Sequence, residues 1–327
     1  MKILVTGGAG FIGSHVVDAY LAQGHDVTVV DDLSTGKKKN VNPQARLVTA
    51  DIRDPNLGAL FAASRFEVVT HLAAQLDVRK SVQDPCFDAS VNILGTLRLL
   101  ECCRTYGVRK MIFSSSGGTI YGECTTRAAH EEDPPRPESP YGISKDTAER
   151  YIRYYGKVYR LPYTILRYAN VYGPRQDAHG EAGVVAIFAG KLIAKERVTI
   201  YGTGQQERDY VFVSDVVQAN VAALTKGEND TFNVGTGLTT SVNSLYEDLA
   251  RLDKDAKKAA YAPVRPGELA RSVLSVERAR KHLGWEPLIT LQKGLEETYN
   301  FFQQQNNSAV FKNRYTPKAI TRSLYVP

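Results

Sequence analysis

The chain opens with short, nearly all-apolar runs that alternate with longer stretches of helical periodicity. KILVT (2–6), DVTVV (26–30), ARLVTA (45–50), EVVTHLA (67–73), KMIFSSS (110–116) and YTILRYA (163–169) are rich in β-branched residues and read as strands; 12–23, 88–106 and 142–158 read as helices. Runs that are apolar at nearly every position belong to strands covered on both faces. Strand and helix in turn predict an α/β unit, a doubly wound parallel sheet with right-handed crossovers and a ligand crevice at the strands' carboxyl ends.

After about residue 173 the rhythm changes. Glycine and proline punctuate YGPRQDAHGEAG, followed by a helix at 184–195, short strands and further helices. This predicts a domain over 1–172, to which a segment near 209–240 returns. A smaller α/β C-terminal lobe over 173–302 closes over the sheet's carboxyl edge. The stretch 303–327 is polar and without strong periodicity, so it reads as a docked or disordered tail.

Hydrophobic residues make up 43% of the 327, enough for a full core. The net charge of +6 suits an anionic partner. The charges are scattered, however, with Lys37–Lys39 the one tight cluster, which argues for an anionic small molecule and against nucleic acid. The four cysteines have neither metal-ligand nor disulfide-framework spacing, which implies reduced thiols and a cytoplasmic protein. The N-terminus lacks the apolar stretch of a signal peptide, and no run reaches the roughly 18 apolar residues of a membrane span.

VTGGAGFIGSH sets Gly7, Gly10 and Gly13 between a strand and a helix, with Asp31 closing the second strand. Glycines allow the tight turn and let a pyrophosphate approach the backbone, and the helix N-terminus offers free N–H groups. An acid at position 31 accepts hydrogen bonds from ribose hydroxyls and repels a 2′-phosphate. NAD is therefore expected over NADP, with the lysine run as the counter-argument.

SPYGISK places Tyr141 four residues before Lys145, so on a helix the two project from one face. A phenol is a poor base near neutrality unless cations favour its phenolate. Lys145 and the positive ring of NAD⁺ are the expected cations, making Tyr141 a base for a hydroxyl proton. Ser114, Ser115 and Ser116 end the fifth strand at the crevice, and Ser116 is the expected bridge to substrate oxygen.

Together with VVDDLSTG, ADIRD, HLAAQ, SVNILGT, FSSSGGTIYG, LRYANVYGPRQ, YGTGQQERDYVFVSD, FNVGTG and RPGELARS, these stretches resemble the extended short-chain dehydrogenase/reductases. Within that superfamily they are most similar to the UDP-glucose (UDP-galactose) 4-epimerase family, from residue 1 to about 302. The resemblance implies a Rossmann-type NAD-binding domain, a UDP-sugar-binding lobe, NAD held through the cycle and a homodimer. It assigns Gly7, Gly10, Phe11, Ile12, Gly13, Asp31, Asp32, Ser34, Gly36, Asp51, Ile52, Leu72, Ala73, Ala74, Gln75, Asn92, Ser114, Tyr141, Lys145 and Tyr168 to the cofactor. Ser116, Tyr141 and Lys145 become the catalytic set, and Asn170, Arg208, Arg265 and Glu268 the UDP-binding set. Ser272 falls at the position that shapes the sugar pocket, and its small side chain implies room for an N-acetyl group. The turn before Tyr121 is one residue longer than the commonest form, and the last 25 or so residues match no known pattern.

Sugar-nucleotide dehydratases follow the bridging hydroxyl with an acid and a base. Here Gly117 and Gly118 follow Ser116. That points to oxidation and return at C4, a 4-epimerisation of UDP-glucose and UDP-galactose and of the N-acetylated pair. The alternatives are a related nucleotide-sugar dehydratase or oxidoreductase, or a non-catalytic NAD-binding regulatory protein.

Overall fold

β1 (Lys2–Thr6), β2 (Asp26–Asp31), β3 (Arg46–Thr49), β4 (Val68–His71), β5 (Lys110–Ser116) and β6 (Tyr163–Tyr168) lie parallel in the order β3-β2-β1-β4-β5-β6, and the strand Asp230–Val234 extends the sheet beyond β6. The strand order reverses between β1 and β4, which opens the crevice foreseen at the carboxyl ends. The structure is a computed structural model that describes residues 1–124, 126–178, 183–264 and 268–315, with side chains to 307.

The apolar runs are explained by their two covered faces. Ile3, Val5, Val27 and Val29 pack with Val16, Val17 and Tyr20 of the helix Phe11–Ala22. The intervening Leu4, Val30 and Val69 meet Leu99, Leu100 and Ile152 on the other side. Each such aliphatic side chain contributes roughly 1.5–3 kcal/mol when fully buried.

The helix that carries Tyr141 and Lys145 runs Pro140–Tyr159. Ser139 caps it, its hydroxyl accepting from the Gly142 amide at 3.2 Å, and Pro140 supplies a preset first turn. Arg160, left-handed at φ 57°, ends it. The helix expected over 88–106 is instead composite: Pro85–Ala89, a π turn over Ser90–Leu94, then Gly95–Thr105. Its extra residue falls at Asn92, whose side chain bonds outward to another segment.

Beyond 173, the helix Val213–Ala223 packs on Phe11–Ala22, and the strand that follows joins the main sheet. The rest of the lobe pairs short strands, Glu207–Arg208 lying between Thr240–Ser241 and Arg271–Ser272. The last helix runs Leu291–Tyr315, so the chain past 303 is helical for several turns where neither a docked nor a disordered tail specified it. Among the described residues no helix is long and apolar enough to cross a membrane.

Candidate active site

The glycine turn is a close backbone packing. Gly7 is left-handed at φ 72°, and a Cβ there would meet the Ala73 nitrogen at 2.6 Å. A Cβ on Gly13 would fall 2.1 Å from the Gly7 carbonyl oxygen. No side chain caps the helix Phe11–Ala22, and no acidic residue stands in its first turn. Phe11, Ile12 and Gly13 therefore present amide N–H groups with no side-chain acceptor at a positive helix end, a fit for the pyrophosphate of a dinucleotide. Gly10 is the cap residue itself, its amide donating to the Gly7 carbonyl.

Asp31 is buried beside this turn. Its carboxylate accepts from the Ala9 and Leu33 amides, both at 2.9 Å, and burial pushes its pKa up against those two bonds. Leu33 turns left-handed at φ 60°, and a Cβ on Gly36 would meet Asp31 Oδ1 at 2.5 Å. Two amides leave lone pairs on both oxygens, as ribose hydroxyls require. Lys37 pairs with Asp177 at 3.5 Å rather than turning toward Asp31. Asp32 is exposed and accepts from the Ser34 amide and hydroxyl at 2.9 and 2.6 Å. Asp51 is engaged by Arg53, down to 2.6 Å, and that guanidinium holds its carboxyl below the ordinary range. Ile52 is buried and packs where Gly95 has no side chain.

The loop after β4 carries Leu72, Ala73, Ala74 and Gln75. The Gln75 amide donates to Asn92 Oδ1 at 3.0 Å, and Asn92 returns a bond to the Gln75 carbonyl at 2.9 Å. Both side chains also donate to Asp88 Oδ1, at 2.9 and 3.0 Å, while Ser144 donates to Asp88 Oδ2 at 2.6 Å.

Ser116, Tyr141 and Lys145 come together at the carboxyl end of β5. Ser116 stands near enough to the Tyr141 phenol to favour its ionised form. Lys145 Nζ lies 5.8 Å from the Tyr141 ring centre and donates to the Ser114 carbonyl at 2.9 Å. Burial brings the Lys145 ammonium down to about 8 against the pull of Asp88 and Glu149. The sequence led us to expect a phenol lowered by Lys145. The chain instead raises it: burial is the larger cause and the Asp88 carboxylate the next, with Ser116 the one opposing bond. A positive ring alongside is the remaining source of the downward shift. Tyr168 exchanges bonds with Asn220, the Asn220 amide donating to its phenol oxygen at 2.8 Å.

A cavity of about 200 Å³ is lined among others by Asn170, Gln206, Arg208, Tyr210 and Glu268. Arg208 Nη2 stands 3.7 Å from Glu268 Oε1, and the buried Tyr210 hydroxyl has no partner. Arg265 lies outside the described residues. Ser272 is buried in its strand, in register with Arg208, and is not among the residues lining this cavity. The two glycines after Ser116 differ. A Cβ on Gly117 would strike Leu274 Cδ1 at 2.5 Å, whereas one on Gly118 would have only Asn170 Nδ2 near it, at 4.0 Å.

Asp88, Ser144, Glu149 and Arg167 escaped the sequence reading. Glu149 accepts from Ser115 at 2.6 Å and from Arg167 at 2.9 and 2.6 Å, and Arg167 donates to Tyr121 at 2.6 Å. An arginine inside the apolar run TILRYA and a glutamate one turn beyond Lys145 were the available signals.

Fold and site together define a dinucleotide-dependent α/β enzyme with a tyrosine–lysine pair at the crevice. The model of the NAD dependent epimerase/dehydratase family matches residues 3–235, and the chain belongs to that family. It is 46% identical over 312 residues to a UDP-glucose 4-epimerase of Mycolicibacterium smegmatis, covering 94% of this chain and all of that one. A UDP-glucose 4-epimerase of Thermotoga maritima, solved with UDP-glucose, superposes with a TM-score of 0.92 at 49% identity, over 94% of this chain and 100% of the other. The Thermus thermophilus UDP-glucose 4-epimerase complex with NAD gives 0.88 at 46% identity, over 93% and 99%.

Proposed function

We propose that this chain epimerises UDP-hexoses at C4, interconverting UDP-glucose and UDP-galactose, with NAD kept through the cycle. The observation that carries the reading is the gathering of Tyr141 and Lys145 at the end of β5, in a chain that also holds a glycine-turn helix without a side-chain cap and a cavity bearing Arg208. Bound NAD supplies a hydride acceptor at the sugar's C4 and gives the hydride back. Tyr141 takes the 4-hydroxyl proton and later returns it, with Ser116 bridging phenol and sugar oxygen. Lys145, fixed on the Ser114 carbonyl, adds positive charge beside the phenol. Arg208 and Asn170 hold the UDP, so the 4-keto sugar turns over while tethered.

Gly117 and Gly118 carry no acid or base for removing water, and Leu274 leaves no room for one at Gly117. Acceptance of the N-acetylated pair rests on the family position of Ser272 and not on the cavity, which Ser272 does not line. The four unpaired cysteines support a cytoplasmic setting. The exposed Leu94, Ile143, Tyr151 and Tyr154 offer apolar surface to a second copy in a homodimer.

NMR of purified protein with UDP-glucose is expected to show UDP-galactose appearing, and Tyr141→Phe to lower kcat at least about 100-fold with NAD retained. A 4-keto-6-deoxy product, or near-normal turnover of the variant, would contradict the reading.

A further inference from the structure

Asp88 has no exposed surface, and every partner its carboxylate has is neutral. Gln75 and Asn92 amides reach one oxygen and the Ser144 hydroxyl the other. Among the described residues no lysine, arginine or histidine nitrogen comes within ion-pair distance. A buried carboxylate without a cation is costly, and hydrogen bonds from neutral donors offset only part of that cost. These donors come from three segments: Gln75 from the loop after β4, Asn92 from the π turn, and Ser144 from the catalytic helix between Tyr141 and Lys145.

We propose that Asp88 is a positioning residue for the epimerisation proposed above. It ties the catalytic helix to the loop Ala73–Asp77, and through Ser144 it sets a buried negative charge beside the Tyr141–Lys145 pair. Charged groups on the neighbouring elements have partners of their own. Glu149, on the same helix, is neutralised by Arg167 from β6 and by Arg153. His71 from β4 is neutral, kept by burial near a pKa of about 3. From the helix Val78–Gln83 the Ser81 hydroxyl accepts from the Tyr141 amide at 3.2 Å, and Lys80 turns onto the Phe87 ring. Asp88 is thus the uncompensated charge that both Tyr141 and Lys145 feel.

Two variants separate charge from tether. D88N keeps the shape and can still bond all three neighbours, but removes the charge. S144A keeps the charge and loses one bond. In the NAD-loaded enzyme the rising limb of kcat against pH is expected to move down by about one pH unit in D88N, the scale for a unit charge within about 10 Å at an effective dielectric near 20. In S144A the limb stays in place while kcat falls. Should D88N not fold, the limb read in S144A against that of the wild type at raised salt, which screens the Asp88 charge but leaves its bonds, carries the same reading. A limb unmoved in the folded variant, with kcat lowered as in S144A, would reduce Asp88 to scaffolding and overturn the proposal. Loss of epimerase activity in the wild type would instead overturn the function on which it rests.

Discussion

Glu149 and Asp88 are both wholly buried, both lie near Lys145, and are held in opposite ways. Glu149 meets two arginines and a serine. Although burial alone would raise its pKa, the Arg167 guanidinium holds it below the usual range. Its charge is offset by those arginines, though Lys145 still feels part of it, and its bonds pin β5, β6 and the helix Pro140–Tyr159 together. Asp88 meets only amides and a hydroxyl. The first is a structural ion pair, and the second leaves a live field at the reacting phenol. Burial and charge are the same; the difference in partners decides what each carboxylate does.

The largest effect should come from breaking the compensated side. Arg167→Met leaves Glu149 short of its main cation and should cost about 3–5 kcal/mol in urea unfolding, while adding Glu149→Gln should return much of that loss. A double variant as unstable as the single would mean that Arg167 acts by packing alone.

A smaller effect is tied to pH. The Thr96 hydroxyl spends its proton on the Asn92 carbonyl at 2.6 Å, so His71 Nε2 donates to Thr96 and Nδ1 accepts from Thr6. Burial puts this imidazole near a pKa of about 3, against 6.5 unfolded. Between those values the unfolded chain binds a proton that the folded one does not. Stability therefore rises with pH across the window and is lost as pH falls below 6.5, by about 2 kcal/mol at pH 5. His71→Gln should flatten that slope, and an unchanged slope would place the acid sensitivity elsewhere.

The smallest effects sharpen the contrast itself. Ser144→Ala strips Asp88 of the one donor to Oδ2 and should cost about 2 kcal/mol. Ser115→Ala leaves Glu149 its arginines and should cost about 1 kcal/mol. Equal costs in thermal melts would erase the distinction between the two carboxylates.

The apolar runs declared the parallel sheet because covered strands leave no other pattern, and the glycine turn was legible because its spacing answers a backbone need. Tyr141 and Lys145 stood out as candidates from helical spacing taken together with the glycine turn and the serines that end β5. Asp88 was not, because a polar residue in CFDASVN looks solvated until the π turn at Asn92 shows which way it faces. The direction of the Tyr141 shift was also out of reach, since it depends on burial and on that unseen carboxylate rather than on Lys145 four residues away. Ser272 is a case of position without orientation: the motif located it, and the strand buried it.

The most direct test of the central claim follows an isotope. UDP-glucose deuterated at C4, incubated with the purified protein in ordinary water, should yield UDP-galactose that keeps its deuterium at C4, because the hydride leaves and returns within the closed site. Loss of that deuterium to solvent would contradict oxidation and return at C4 and the account built on it.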